Sequence, residues 1–351
     1  MSNAAINPTM TGIQGLRALA CALVLLQHSV FFAAYVKGLD YHPYLAINYG
    51  RIGVCLFFVI SGFVMGGCLR EGSGFLVNRI ARVFPPFWLA IAVSYLVFSH
   101  IKPDWHVDWS SILLLPSTSL NGSYAIPYWT LCYELAFYIV TYLFIVGRLS
   151  KKGILSACVI WLTAIIMTDA YRPFGLVDED AAFSAVAQPG AWILLTPCSI
   201  FFIAGLITSQ LHREIESQFK SKWMALFCSV MLWGMGNGLK LTSSIPMFLV
   251  QAVAFCLAIV AIKDVEVPRL AVRLGNLSYG TYLMHMIPII ALAAILKPHA
   301  SGIRLSLVWL ILVASGGVLG VAFGYLEFAL HARVIKPLLR SRWRTGRITT
   351  E

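Results

Sequence analysis

The sequence predicts an all-α, polytopic membrane protein with about ten transmembrane helices and both termini in the cytoplasm. Of its 351 residues, 59% are hydrophobic and 12% are charged, whereas a soluble domain has about 25% charged residues. The mean hydropathy is +0.80. A soluble protein of this composition could not cover its surface with polar groups, so the class of soluble globular domains is excluded.

Apolar runs of about 20 residues recur along the chain, which is the length that a helix needs to cross the hydrocarbon core. The first run is too long for the apolar part of a signal peptide, so we expect it to be retained. Residues 1–351 are predicted to form one integral-membrane domain with a basic cytoplasmic tail at about 333–351. Two polar insertions, at about 102–124 and 170–188, are candidates for outer lids or surface helices. The predicted spans cover roughly 13–36, 50–69, 83–101, 126–148, 153–169, 191–209, 222–239, 244–263, 277–297 and 303–331.

The basic residues determine the predicted orientation. They follow the second, fourth, sixth, eighth and tenth runs, as Arg70, Arg79 and Arg82 do after the second. Cytoplasmic loops carry such an excess of Lys and Arg, so an even number of spans and cytoplasmic termini follow. The net charge of +11 lies in these short clusters. We therefore expect no nucleic-acid partner, but a lipid bilayer around the chain.

The cysteines give no sign of a metal site or of a disulfide framework. They stand singly at positions 21, 55, 68, 132, 158, 198, 228 and 256, mostly within apolar runs. Isolated cysteines of this kind behave as small apolar side chains, and we expect no metal cofactor.

Ionisable residues inside the spans are informative because a charge at the bilayer centre costs roughly 2.5–3.5 kcal/mol. Each has an ordinary alternative interpretation: a histidine can hydrogen-bond across helices, a glutamate can pair with an arginine, and Arg17 can extend to the cytoplasmic interface. The residues in question are Arg17, His28, Glu134, His285 and Glu327.

Helical spacing places several of these residues on shared faces. Arg17 and His28 lie about three turns apart and about 20° out of phase, so they look into the same interior. If the helices pack together, a polar track would run from the inner surface towards the outer one. Two further faces are predicted by i, i+4 and i+7 spacing, one with Glu134 and Tyr138, the other with Ser278, Tyr282 and His285.

Six segments in order along nearly the whole chain resemble acyltransferase family 3, the integral-membrane acyltransferases that modify bacterial envelope and extracellular carbohydrates. The first resembles the family's Arg-x10-His helix, and the third carries its Arg-x-x-Arg pattern at Arg79 and Arg82. The last is similar to the family's final helix with its glutamate. The segments read GLRALACALVLLQH, GVCLFFVISGFVM, NRIARVFPPFWLA, YWTLCYELAFY, LSYGTYLMH and GYLEFALHARVIKPLL.

The resemblance implies O-acyl transfer at the bacterial inner membrane, with acetyl-CoA as donor and a hydroxyl of a carbohydrate or glycolipid as acceptor. Imidazole is well suited to activate a hydroxyl at neutral pH, which makes His28 the candidate base or proton relay, with Glu134 orienting it or binding sugar hydroxyls. Arginine suits the phosphates of coenzyme A. The implied donor-binding residues are Arg17, Arg79 and Arg82, and the implied acceptor-binding residues are Tyr128, Trp129, Tyr138, Ser278, Tyr282 and His285.

Three other functions compete with acyl transfer. A transporter or flippase of a lipid-linked glycan or proton-coupled solute would use the polar track without chemistry, and would release no CoA from acetyl-CoA. An intramembrane serine hydrolase would need Ser61 as nucleophile, although Ser61 more simply permits close helix approach. A structural or signalling protein would tolerate loss of His28. The acceptor, the acyl chain length, a covalent intermediate and the oligomeric state are left open.

Overall fold

The computed structural model describes residues 10–45, 47–72, 74–101, 105–107, 109–116, 128–173, 189–238 and 245–339. Within these ranges the chain is helical, as predicted. Short 3₁₀ turns cover His42–Tyr44, Gly190–Leu195 and Lys297–Gly302, and a π-helical turn covers His331–Ile335. The α-helices are α1 (Thr11–Lys37), α2 (Tyr49–Gly67), α3 (Phe75–Phe98), α4 (Trp109–Ile112), α5 (Trp129–Val146), α6 (Lys151–Tyr171), α7 (Ser199–Ser217), α8 (Lys222–Gly238), α9 (Ile245–Ile262), α10 (Arg269–Met284), α11 (Met286–Leu296) and α12 (Leu305–Leu330).

The described helices confirm a polytopic membrane protein. Seven of them are long and apolar enough to cross a membrane, and a bent pair formed by α10 and α11 brings the number to eight. The predicted span at 191–209 is interrupted, because the Gly190–Leu195 turn ends in an extended Thr196 before α7 begins at Ser199. The count of ten and the cytoplasmic position of the termini stay predictions.

Helix α3 corrects one predicted boundary. The predicted span began at residue 83, after the charges, whereas α3 begins at Phe75 and includes Arg79 and Arg82. These arginines are therefore helical residues and not loop residues. The prediction placed them outside because charges are costly in lipid, but both guanidinium groups line internal cavities and have carboxylate partners.

The predicted span at 277–297 is not straight. α10 and α11 are bent by 48° at His285. Pro288 lies one turn beyond the bend, where it lacks the N–H that would bond to the carbonyl of Met284 and its ring clashes with that carbonyl. The bend turns the chain at the one histidine of this segment.

Glycine contacts bring the helices close enough to enclose an interior. A Cβ atom on Gly62 of α2 would lie 2.1 Å from the backbone oxygen of Phe202, and one on Gly205 of α7 would lie 2.1 Å from that of Val59. Gly275 of α10 approaches α1 in the same way. Such small residues allow backbone-to-backbone packing in membranes, where lipid supplies no hydrophobic drive between helices. α1 consequently lies between α2, α10 and α12.

Parts of the predicted insertions and tail lie outside the described residues. Residues 109–112 of the first insertion form α4, while 117–127 and 174–188 are outside the described ranges, as is the tail beyond residue 339. All eight cysteines carry free thiols.

Candidate active site

Five helices enclose a cavity of about 140 Å³. α1 contributes Arg17, α3 contributes Arg79 and Arg82, and α5 contributes Glu134. The helices meet here because the glycine contacts draw α1, α2 and α10 together, leaving a space that large polar side chains line. The cavity walls also include the predicted residues Tyr138, Ser278 and Tyr282.

One end of this cavity is rich in cationic side chains. Arg17, Arg79 and Arg82 are joined there by the carboxylate of Glu134, so guanidinium groups outnumber carboxylates on the wall. Tyr138, one turn after Glu134, donates its hydroxyl hydrogen to that carboxylate. The predicted shared face of these two residues is confirmed. Arg17 lies within Coulombic range of both Arg82 and Glu134.

The arginines of α3 have partners behind the cavity wall. Arg79 donates to the thiol of Cys68 at 3.1 Å, lies 3.9 Å from a Glu71 oxygen and stacks over the ring of Phe75 at 5.2 Å. These contacts hold the Arg79 guanidinium in place and still leave it on the cavity wall.

Arg82 lies 3.8 Å from a carboxylate oxygen of Glu327 on α12. The Glu327 side chain is 1% exposed, and neither of its oxygens accepts a hydrogen bond from the described residues. The expectation that Glu327 pairs with an arginine is confirmed, although its partner is a helical arginine and not a loop residue. Arg82 is its nearest cation, and Arg17 also lies within Coulombic range of this buried carboxylate.

Tyr282 and Phe57 form a part of the cavity wall that is called the aromatic end here. The Tyr282 hydroxyl lies 2.6 Å from the Thr130 hydroxyl, and its ring meets the edge of Phe57 at a centroid distance of 6.2 Å. Tyr282 also lies next to His285, with ring centroids 5.7 Å apart. The tyrosine therefore separates the cavity from a histidine.

His28 and His285 form a ring pair behind Tyr282, with centroids 5.4 Å apart and planes inclined by 39°. His285 is 1% exposed, whereas His28 is half-buried. The Nδ1 atom of His285 lies 2.7 Å from the carbonyl oxygen of Tyr282. Because a carbonyl only accepts, Nδ1 carries the proton and Nε2 is left as the acceptor. Among the described residues, Nε2 has no hydrogen-bond partner.

The predicted residues therefore divide into three groups. The first group lines the cavity and consists of Arg17, Arg79, Arg82, Glu134, Tyr138, Ser278 and Tyr282. The second group is the histidine pair His28 and His285, which lies beside the cavity without lining it. Tyr128 and Trp129 are in the core: the Tyr128 hydroxyl donates to the carbonyl of Leu283 at 3.0 Å, and Trp129 is 8% exposed. The structure does not bring these two to the cavity, and their contact with an acceptor stays a prediction.

Three polar residues on the cavity wall are absent from the predicted site: Ser61, Thr130 and Tyr279. Ser61 was considered only as a nucleophile or a packing residue, and it is the adjacent Gly62 that makes the close helix contact. Thr130 precedes Glu134 by four residues, so the i, i+4 signal was present. Tyr279 lies one residue beyond the predicted face of α10, and its hydroxyl donates to the carbonyl of Val83 at 2.8 Å.

Comparison with known proteins identifies the family of the chain. The acyltransferase domain of acyltransferase family 3 matches residues 10–327. Nodulation protein 10 of Rhizobium leguminosarum bv. viciae is 27% identical over 284 residues, covering 69% of this chain and 73% of that protein. Acyltransferase MdmB of Streptomyces mycarofaciens is 25% identical over 317 residues, covering 80% and 79%.

A third relative is the exopolysaccharide production protein ExoZ of Rhizobium meliloti (strain 1021). It is 26% identical over 325 residues, covering 86% of this chain and 92% of that protein. No solved structure matches the chain significantly. The family match includes all five helices around the cavity, and the chain therefore belongs to acyltransferase family 3, as a multi-pass membrane acyltransferase.

Proposed function

We propose that this protein is an O-acyltransferase of the bacterial inner membrane that moves an acyl group, acetyl above all, from cytoplasmic acyl-CoA to a hydroxyl of a cell-envelope or exported carbohydrate. The observation that supports the proposal most is a single cavity whose wall carries three arginines and Tyr282. The two paired histidines lie directly behind that tyrosine.

The arginine end is suited to the donor. Coenzyme A carries a diphosphate and a ribose phosphate, and the planar guanidinium group binds phosphate through two parallel hydrogen bonds. Arg17, Arg79 and Arg82 lie on the side that the positive-inside rule assigns to the cytoplasm, where acyl-CoA is made. Glu134 lies among these arginines, so we assign it to the donor end and not to His28.

The histidine pair is suited to the proton transfer. The acceptor oxygen attacks the thioester carbonyl, the C–S bond breaks, and the proton of the acceptor hydroxyl must reach the departing thiolate. His28 is the proposed base because it pairs with His285 and, unlike His285, is only partly buried. His285, whose Nε2 is an acceptor, can hold the proton between the two ends of the reaction.

The acceptor is proposed to be a saccharide of the envelope or of an exported polymer. The printed name of one relative concerns exopolysaccharide production, which supports this class. The aromatic end of the cavity, with Tyr282 and Phe57, offers ring faces and hydroxyl groups that suit sugars.

The experiment compares surface and secreted glycans by mass spectrometry in the wild type, a deletion strain, a His28→Ala strain and a His42→Ala strain. His42 is the control because it lies in an exposed turn, paired with Asp40 at 2.6 Å. We expect one glycan to lose the mass of one acyl group in the deletion and His28→Ala strains, and to keep it in the His42→Ala strain. Retention of that group in the His28→Ala strain would overturn the assignment of His28.

The donor is tested separately with purified protein in liposomes. Release of free CoA from acetyl-CoA in the presence of the glycan isolated from the deletion strain is the expected result. A protein that moves the glycan across the bilayer without releasing CoA would be a transporter, and the proposal would be wrong.

A further inference from the structure

We propose that a second cavity, beside the first, is the docking site for the phosphorylated nucleotide part of acyl-CoA, and that His331 and Lys336 bind it. This inference rests on the proposed function and extends it to residues beyond the arginines considered above. The second cavity has a volume of about 320 Å³ and is called the vestibule here.

The vestibule adjoins the first cavity through Arg79 and Arg82, which line both. A single extended ligand can therefore place an anionic head in the vestibule and a thin arm in the smaller cavity, with the two guanidinium groups between them. Acyl-CoA has this shape, since its nucleotide is bulky and charged and its pantetheine arm is narrow. The volumes, about 320 and about 140 Å³, follow the same order.

The charge of the vestibule suits phosphate. Arg79, Arg82 and Lys336 contribute three permanent cations to its lining, against the carboxylate of Glu71. Glu71 forms an ion pair with Arg79, with a carboxylate oxygen 3.9 Å from a guanidinium nitrogen. His331 adds a ring whose Nδ1 atom is buried and without a hydrogen-bond partner among the described residues. Phosphate oxygens accept hydrogen bonds from the N–H groups of guanidinium, ammonium and imidazole side chains.

The backbone supports the grouping of His331 with Lys336. The turn His331–Ile335 is π-helical, and the backbone N–H of Lys336 bonds to the carbonyl of His331. In an α-helix two residues five positions apart lie about 140° apart around the axis. The wider π-turn brings them towards the same side, so both side chains line the vestibule. π-turns are rare, and they occur frequently at functional sites.

Arg333 supplies a matched control. It lies in the same π-turn, is exposed, and does not line the vestibule. If the basic residues of this segment acted only through the orientation of the protein in the membrane, Arg333 and Lys336 would be equivalent. The proposed phosphate site predicts instead that Lys336 contributes to CoA binding and that Arg333 does not.

The test measures equilibrium binding of CoA, 3′-dephospho-CoA and pantetheine to the full-length protein in nanodiscs, for the wild type, Lys336→Ala, His331→Phe and Arg333→Ala. Loss of one charged contact should raise the Kd of CoA about tenfold for Lys336→Ala, which corresponds to about 1.4 kcal/mol. We expect His331→Phe to act in the same direction. Arg333→Ala should leave the Kd unchanged, and pantetheine binding should be the same in all four proteins.

The outcomes separate the two proposals. Wild-type protein that does not bind CoA contradicts the proposed donor and, with it, the vestibule. Wild-type binding with an unchanged Kd in Lys336→Ala and His331→Phe contradicts the vestibule alone. An equal loss for CoA and for pantetheine in these variants also contradicts it, because the nucleotide would then make no contact there. Lys336→Arg, which keeps the charge, should bind CoA as the wild type does. Unchanged pantetheine binding shows that Lys336→Ala and His331→Phe are folded.

Discussion

The pair formed by Arg82 and Glu327 allows a prediction that separates folding from donor binding. Their closest atoms are 3.8 Å apart, the Glu327 side chain is 1% exposed and the Arg82 side chain is 30% exposed. At this distance the attraction is Coulombic and not a hydrogen bond. Removal of either residue should therefore have unequal effects, because only one of the two side chains is fully buried.

Arg82→Ala leaves the buried carboxylate of Glu327 without its nearest cation, while Arg17 stays within Coulombic range. Breaking a buried pair in this way costs roughly 3–5 kcal/mol, and we expect about 3 kcal/mol here because the carboxyl group can take up a proton. Glu327→Gln leaves a guanidinium that is partly exposed in the two cavities and can be hydrated there, so we expect a loss of only about 1 kcal/mol. The double variant should lose about 1 kcal/mol, so most of the cost of Arg82→Ala disappears once the carboxylate is gone.

The measurement is the free energy of unfolding in mixed micelles titrated with SDS, together with the Kd of CoA. Arg70→Ala, which removes an exposed arginine next to α2, is the control for a general effect of charge. The double variant should regain stability without regaining CoA affinity, since Arg82 also lines both cavities. A larger loss of stability for Glu327→Gln than for Arg82→Ala, or additive losses in the double variant, would refute this reasoning.

Three further predictions concern packing, chemistry and the core. Gly205→Leu should abolish folded protein in detergent extracts, because a Cβ atom at this position would lie 2.1 Å from a backbone oxygen of α2. Gly67→Leu is the control, because a Cβ atom there would have no neighbour within 4 Å, and size-exclusion chromatography should show folded protein. His285→Asn keeps a donor for the backbone carbonyl but removes the Nε2 acceptor. The rate of acyl transfer should therefore fall by a factor of about 10²–10⁴, with the Kd of CoA unchanged. A changed Kd together with a normal rate would contradict the role of His285 as a proton relay. Tyr128→Phe removes the hydrogen bond to the Leu283 carbonyl and the 3.5 Å contact with the Ser94 hydroxyl, so it should cost about 1–2 kcal/mol of stability while acyl transfer persists. Lost transfer in a stable protein would return Tyr128 to the acceptor site.

Much of the fold follows from the local pattern of the sequence. The hydrophobic runs predict the helices because every backbone polar group within lipid must be satisfied inside its own segment. The few ionisable residues within those runs are conspicuous for the same reason. Arg17 and Glu134 are found in this way, and Tyr138 by its i, i+4 spacing from Glu134; all three lie on the wall of one cavity.

Other features depend on contacts between segments that are distant in sequence. The boundary of α3 was misplaced because the cost of Arg79 and Arg82 in lipid was considered without the carboxylate partners that α12 and the end of α2 bring to them. The bend at His285 separates this histidine from the cavity although its spacing from Tyr282 had predicted a shared lining.

The sequence by itself determined the class of the protein, its family and the side chains that we propose for acyl transfer, because hydrophobic periodicity and motif spacing are properties of single segments. Only the tertiary structure decided which of these side chains meet. The depth and angle of each helix depend on backbone contacts such as those of Gly62 and Gly205, and on a proline-associated bend and a π-turn. Those contacts bring Arg17 to one wall with Tyr282, set His28 against His285, and place Lys336 beside the arginines of α3.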